Sequence, residues 1–209
     1  MSLIDYYNKD TKILTIPNTF NRKLNDIPKE TEIIIFSEDG TWNGRSYFNQ
    51  PVDNLPETLT HLTFGNNFNQ SVDNLPLSLT YLTFGRQTPV RLAHPKIMNI
   101  HNCLRCHNFN QSVDNLPKNL THLTLGCDFN QSVDNLPENL THLIFTGDST
   151  FNNLLNNLPK NLTHLKLNKI FCQKLDNLPI SLTHLTYHNN YKHKIKIHYE
   201  CEVLEYMDK

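Results

Sequence analysis

The chain has 209 residues, 38% of them hydrophobic and only 19% charged, with 19 Lys+Arg against 20 Asp+Glu and a net charge of −1. That balance excludes the broad basic footprint of a nucleic-acid binder, and no apolar run is long enough to span a membrane as a helix. A polar, weakly charged composition would suit disorder if the apolar residues were scattered; here they recur in register.

The start, Met1 to Asp10, lacks the apolar core of a signal peptide. The cysteines number five, an odd count. Together these point to a reducing cytosol and unpaired thiols. Residues 1–12 read as a leader or cap. Leu14 and Ile16 then carry the apolar-x-apolar core of a first strand. Phe20 to Phe36 is a divergent unit that keeps Leu24, Ile27, Pro28 and the strand Ile33-Ile34-Ile35-Phe36. Residues 37–47 are a glycine-containing insertion, expected as a loop. It holds the lone tryptophan, Trp42, beside Arg45, a pairing of residue types common among interface anchors; packing of Trp42 on the edge of the fold is the structural alternative.

Four close copies of one unit follow: Phe48 to Phe64, Phe68 to Phe84, Phe109 to Leu125 and Phe129 to Phe145. Phe151 to Leu167 and Phe171 to Tyr187 are looser copies. Residues 85–108 read as a degenerate coil, outlined by Leu92, Pro95, Ile97 and Ile100. After Tyr191 the pattern breaks. Ile195 and Ile197 alternate with charge, as an edge strand does, and residues 192–209 read as a closing cap.

A self-similar unit of about twenty residues is the signature of a solenoid. In Leu59-Thr-His-Leu-Thr-Phe64, Leu62 and Phe64 share one strand parity and point inward, while His61, Thr63 and Gly65 point out. The run is too short for a stable helix, and Thr and Phe favour strand. In the return half, Phe68, Val72 and Leu75 can all face inward, and Pro76 pushes Leu75 out of the α region. The expected architecture is mainly β: a right-handed solenoid of about nine coils over residues 13–191, one parallel sheet on its concave face, an extended or 3-10 convex side and few helices.

The Asn after each repeat Phe (Asn21, Asn49, Asn69, Asn110, Asn130, Asn152) is expected to form an amide ladder serving turn backbone. Thr60, Thr80, Thr121, Thr141, Thr163 and Thr183 are expected to bond along the sheet edge, and Asp53, Asp73, Asp114, Asp134 and Asp176 to cap the turn before Leu-Pro.

The outward strand position carries His61, Tyr81, His122, His142, His164 and His184, flanked by Thr63, Thr83, Thr124, Lys166 and Thr186. This row is the candidate partner surface, pH-sensitive because imidazole titrates near neutrality. The alternative is a solvent face merely copied with the repeat. Metal binding by the row is disfavoured, since the neighbouring threonines supply no supporting carboxylates. Cys103-Leu-Arg-Cys106-His107 has c-type haem spacing. Zinc on Cys103, Cys106, His107 and Cys127 is the better metal reading, and a zinc-binding or redox-sensing solenoid is the alternative function, against thiols that pack as small apolar residues. No phosphate loop, nucleophile elbow or His-Glu-x-x-His occurs, so no enzyme and no cofactor is expected.

Leu-Pro-x-x-Leu-x-x-Leu-x-Phe resembles the start of a leucine-rich repeat, especially the short bacterial type, and Phe-Asn-Gln-Ser-Val-Asp-Asn-Leu-Pro resembles the FNIP repeat of social amoebae and giant amoeba-infecting viruses. The resemblance covers about residues 13–191, with Leu replacing the central Ile of the name pattern in most copies. It implies a protein-interaction scaffold, partnered through its concave sheet and acting in an amoebal host cytoplasm. Family members often carry an F-box ahead of the repeats, which implies substrate capture for a ubiquitin ligase; only residues 1–12 precede the first coil here. The expected partner is a protein, a host protein if the chain is viral, and neither nucleic acid nor membrane. Self-association through the sheet ends is a further reading.

Overall fold

A computed structural model of the chain describes residues 2–37, 46–85, 108–197 and 200–207. Its strands run β1 (Tyr7–Asn8), β2 (Ile13–Ile16), β3 (Ile33–Phe36), β4 (His61–Phe64), β5 (Tyr81–Phe84), β6 (His122–Leu125), β7 (His142–Phe145), β8 (His164–Lys166), β9 (His184–His188) and β10 (Glu202–Tyr206). They form one ten-stranded sheet in strict chain order. β1 is antiparallel to β2, and β2 to β10 are parallel. This is the mainly β, leucine-rich-repeat-like solenoid that the repeats predict.

Each coil closes in the same way. The proline-led turn is fixed by Leu79 N–H donating to the Pro76 carbonyl at 3.1 Å, and by Leu120 N–H to Pro117 at 3.0 Å. Phe68, Val72, Leu75, Leu79, Leu82 and Phe84 are all buried within this one coil. Burying each contributes about 2 kcal/mol, and only a stacked neighbour makes that burial complete. The repeat phenylalanines stack through the molecule: Phe48 to Phe68 at 6.1 Å, Phe68 to Phe109 at 6.2 Å, and Phe109 to Phe129 at 6.1 Å. A second contact ties strand to return segment, with Phe64 and Phe68 ring centroids 3.7 Å apart.

The return segments are extended backbone and turns. Among the described residues the 3-10 geometry appears instead in the N-terminal cap, at Leu3–Tyr6. No helix among those residues is long and apolar enough to cross a membrane.

β5 pairs directly with β6, Tyr81 opposite His122; residues 86–107, where the degenerate coil is expected, lie outside the described residues. One expectation is corrected. The edge strand is Glu202–Tyr206 and not the Ile195–Ile197 alternation. The physical reason is the return half. Tyr191 takes the repeat-Phe place, 6.2 Å from Phe171, and Ile195, four residues on, packs against the core as Val72 does four residues after Phe68.

Candidate functional site: the outer sheet face

Parallel register places side chains of equal strand position one above another. Leu62, Leu82, Leu123, Leu143, Leu165 and Leu185 therefore fill the interior, and the residue before each faces out. That register aligns Ile33, His61, Tyr81, His122, His142, His164, His184 and Glu202 in one column. The six rings from His61 to His184 are stacked, with centroids 4.2, 4.1, 4.1, 4.1 and 4.1 Å apart and planes within 20° of parallel. The imidazoles are half-buried by one another, and Tyr81 is exposed.

The preceding threonines hold the rings in place. The Thr80 hydroxyl donates to the Thr60 carbonyl at 3.1 Å, Thr121 to Thr80 at 3.1 Å, Thr141 to Thr121 at 3.0 Å and Thr163 to Thr141 at 3.1 Å. The hydroxyl oxygens of Thr60, Thr121, Thr141, Thr163 and Thr183 lie 2.8 to 2.9 Å from Nδ1 of the histidine that follows each, His61, His122, His142, His164 and His184. A hydroxyl has one proton to give. Committed to the carbonyl, it receives Nδ1–H from the ring, so the neutral imidazole keeps Nε2 bare. Burial depresses the pKa of His61, His122, His142 and His164, and repulsion from other imidazoles of the row adds to this for His122, His142 and His164. The shift favours the neutral form of these four imidazoles near neutral pH.

A second outward column runs Thr15, Ile35, Thr63, Thr83, Thr124, Ile144, Lys166, Thr186 and Leu204. Thr83 is the buried member, at 5% exposure. Lys166 sits over the Tyr206 ring, 5.7 Å from its centroid. The sequence reading misses Ile144, although strand parity with Thr124 is enough to find it. It also misses Glu202 and Leu204, whose strand does not repeat the Leu-Thr-His-Leu letters. Glu202 ends the ring row, its Oε2 3.4 Å from Nε2 of His184.

The remaining polar rows hold the coils together. The Asn49 side-chain oxygen accepts from Asn69 N–H at 2.9 Å and from Gln70 Nε2 at 3.0 Å, and Asn69 serves Asn110 and Gln111 in the same way. Cys172 continues the ladder as a backbone donor, 2.9 Å from Asn152 Oδ1. The Asp73 carboxylate accepts from Ser71 Oγ at 2.7 Å and from Asn115 Nδ2 of the next coil at 3.1 Å. Gly65, expected to face out, is buried: a Cβ there would lie 2.2 Å from Ser46 Cβ.

Trp42, Arg45, Cys103, Cys106 and His107 lie outside the described residues; Cys127 is buried. Among the described residues, no three His, Cys, Asp or Glu side chains are grouped to hold a metal. Within the ring row, parallel stacking keeps the Nε2 lone pairs from converging on one ion.

The FNIP repeat family model matches residues 48–87, 109–148 and 129–170. No curated protein matches the chain. Among solved structures, the chain is similar to CroV588, described as a novel circular leucine-rich-repeat protein, at 29% identity and a TM-score of 0.49, over 93% of this chain and 33% of that one. The chain thus spans about a third of the length of that protein. The coils that carry His61, Tyr81, His122, His142 and His164 are FNIP repeats, set within one continuous sheet.

Proposed function

We propose that the chain is a non-enzymatic protein-interaction scaffold whose partner docks on the outer sheet face. One observation carries the reading: six rings in register, each imidazole already held by a threonine. Side chains ordered in advance lose little rotamer freedom on binding, so more of the contact energy appears as affinity. Tyr81 offers an exposed aromatic anchor within that row. Solenoids commonly use such extended surfaces for recognition, and FNIP repeats support the scaffold role.

The test is capture of host proteins from an amoebal lysate, quantified for the native chain and for two variants. Changing His122, His142 and His164 together to Ala is expected to remove the captured protein. Lys118→Glu, on an exposed turn away from the sheet, is expected to leave it. Equal capture by all three chains would contradict the proposal.

A further inference from the structure

We propose that the imidazole row is a carboxylate-binding strip, taking an acidic peptide segment along the Nε2 edges of His122, His142 and His164. The inference rests on the reading of the outer sheet face as a partner surface and names the chemistry of that partner.

The first argument is the division of labour between the two ring nitrogens. Nδ1 of each imidazole is tied to its own threonine at 2.8 to 2.9 Å. Among the described residues, Nε2 of His61, His122, His142 and His164 has no hydrogen-bond partner. The neutral ring presents a bare Nε2, which repels a carboxylate. A proton from solvent adds there and turns the same edge into a donor of a charge-assisted bond.

The second argument is that the chain already places one carboxylate on this edge. Glu202 Oε2 lies 3.4 Å from Nε2 of His184, the last ring of the row. The row is therefore closed by its own acid at one end and open along the rest.

The third argument is the charge around the row. The groups facing it are Tyr81 within it, Thr63, Thr83, Thr124, Ile144, Lys166 and Thr186 beside it, and Glu202 at its end. The Lys12–Glu32 ion pair lies just beyond His61, where the Glu32 carbonyl accepts from Thr60. The Glu205 carboxylate near β9 accepts from the Tyr187 hydroxyl at 2.8 Å. Between these ends, β5 to β8 offer no carboxylate and add Lys166. Protonated rings about 4 Å apart repel one another, and an anion bound along β5 to β8 offsets that repulsion. Binding is thereby coupled to proton uptake and strengthens as pH falls.

Phosphate chains could meet the same N–H groups. Among the described residues of β5 to β8, Lys166 is the one Lys or Arg, whereas nucleic-acid binding draws on several such cations. The Glu202 contact favours the carboxylate.

The experiment is fluorescence anisotropy with labelled poly-L-glutamate at about pH 5.5 and about pH 7.5, where glutamate stays ionised. Poly-L-glutamine and polyuridylate serve as comparison probes. Binding of polyglutamate about ten-fold tighter at the lower pH, with none to polyglutamine, is expected. The combined variant H122Y, H142Y, H164Y keeps a ring at each position, as Tyr81 does naturally, and is expected to unfold cooperatively while losing the pH gain. No polyglutamate binding at the lower pH, an undiminished gain in the tyrosine variant, or an equal gain for polyuridylate would each overturn the inference.

A Thr124→Arg chain separates the two claims. If it loses its lysate partner at neutral pH while the native chain ignores polyglutamate, the scaffold stands and the carboxylate strip falls. If polyglutamate binds as expected while every face variant keeps normal capture, the strip stands and the scaffold reading falls.

Discussion

Thr141 Oγ lies 2.9 Å from Nδ1 of His142 and 3.0 Å from the carbonyl oxygen of Thr121 in the preceding coil. One hydroxyl thus joins two coils and aims a ring. Thr141→Val keeps the β-branched shape and deletes both bonds. It is expected to cost about 1 kcal/mol in urea denaturation, and to let the His142 proton exchange between its two nitrogens in imidazole NMR. A variant with native stability and a native tautomer would show the hydroxyl to be incidental.

The amide ladder predicts a different pattern of rescue. Asn110 Oδ1 accepts from Asn130 N–H at 2.9 Å and from Gln131 Nε2 at 3.1 Å. Asn110→Ala leaves two donors without a partner and is expected to lose about 1 to 2 kcal/mol. Asn110→Asp keeps the accepting oxygen and should recover most of that loss, as read from denaturation midpoints.

Phe109 joins the coils on either side of residues 86–107. Its ring lies 3.6 Å from Phe84 and 6.2 Å from Phe68, and it is fully buried. Phe109→Ala is expected to destabilise by about 3 to 5 kcal/mol. Limited proteolysis should then release fragments ending between β5 and β6. A single cooperative, protease-resistant unit would show that other contacts couple the two halves.

Acid should weaken the fold through the row. Burial first, and then repulsion between imidazoles, depresses the folded pKa of His122, His142 and His164; burial alone does so for His61. In the unfolded chain these groups titrate at about 6.5. Between that value and the depressed ones, the unfolded chain holds more protons. Stability from these groups is therefore complete above about pH 6.5 and falls as pH drops toward the folded values. The urea midpoint should be lower at about pH 5.5 than at about pH 7.5, and the H122Y, H142Y, H164Y chain should show a shallower decline. Parallel declines in both chains would place the acid sensitivity elsewhere.

Most of this site is legible from strand parity. Leu62 and Phe64 inward require His61 and Thr63 outward, and repetition stacks one coil's ring on the next. The Asn ladder is equally legible, because a polar residue copied beside a buried Phe needs a partner in the next copy. What escapes the sequence depends on contacts that repetition does not encode. Gly65 is buried against Ser46, which lies in the irregular stretch before Phe48. Ile195 looks like part of a strand because it alternates with lysines, yet its spacing from Tyr191 is that of a return segment. Glu202 reaches the row from Glu-Val-Leu-Glu-Tyr, which resembles none of the other strands. The Thr–His bond joins consecutive residues, and alternation alone gives no sign that they meet.

The account depends on the rings forming one coupled row, and imidazole NMR through a pH titration tests that most directly. Repulsion from His142 and His184 adds to burial in depressing the His164 pKa. The His164 midpoint is predicted to lie below the ordinary histidine value of about 6.5 and to rise toward it in His142→Tyr. An ordinary midpoint for His164 in the native chain, unmoved by that substitution, would contradict it.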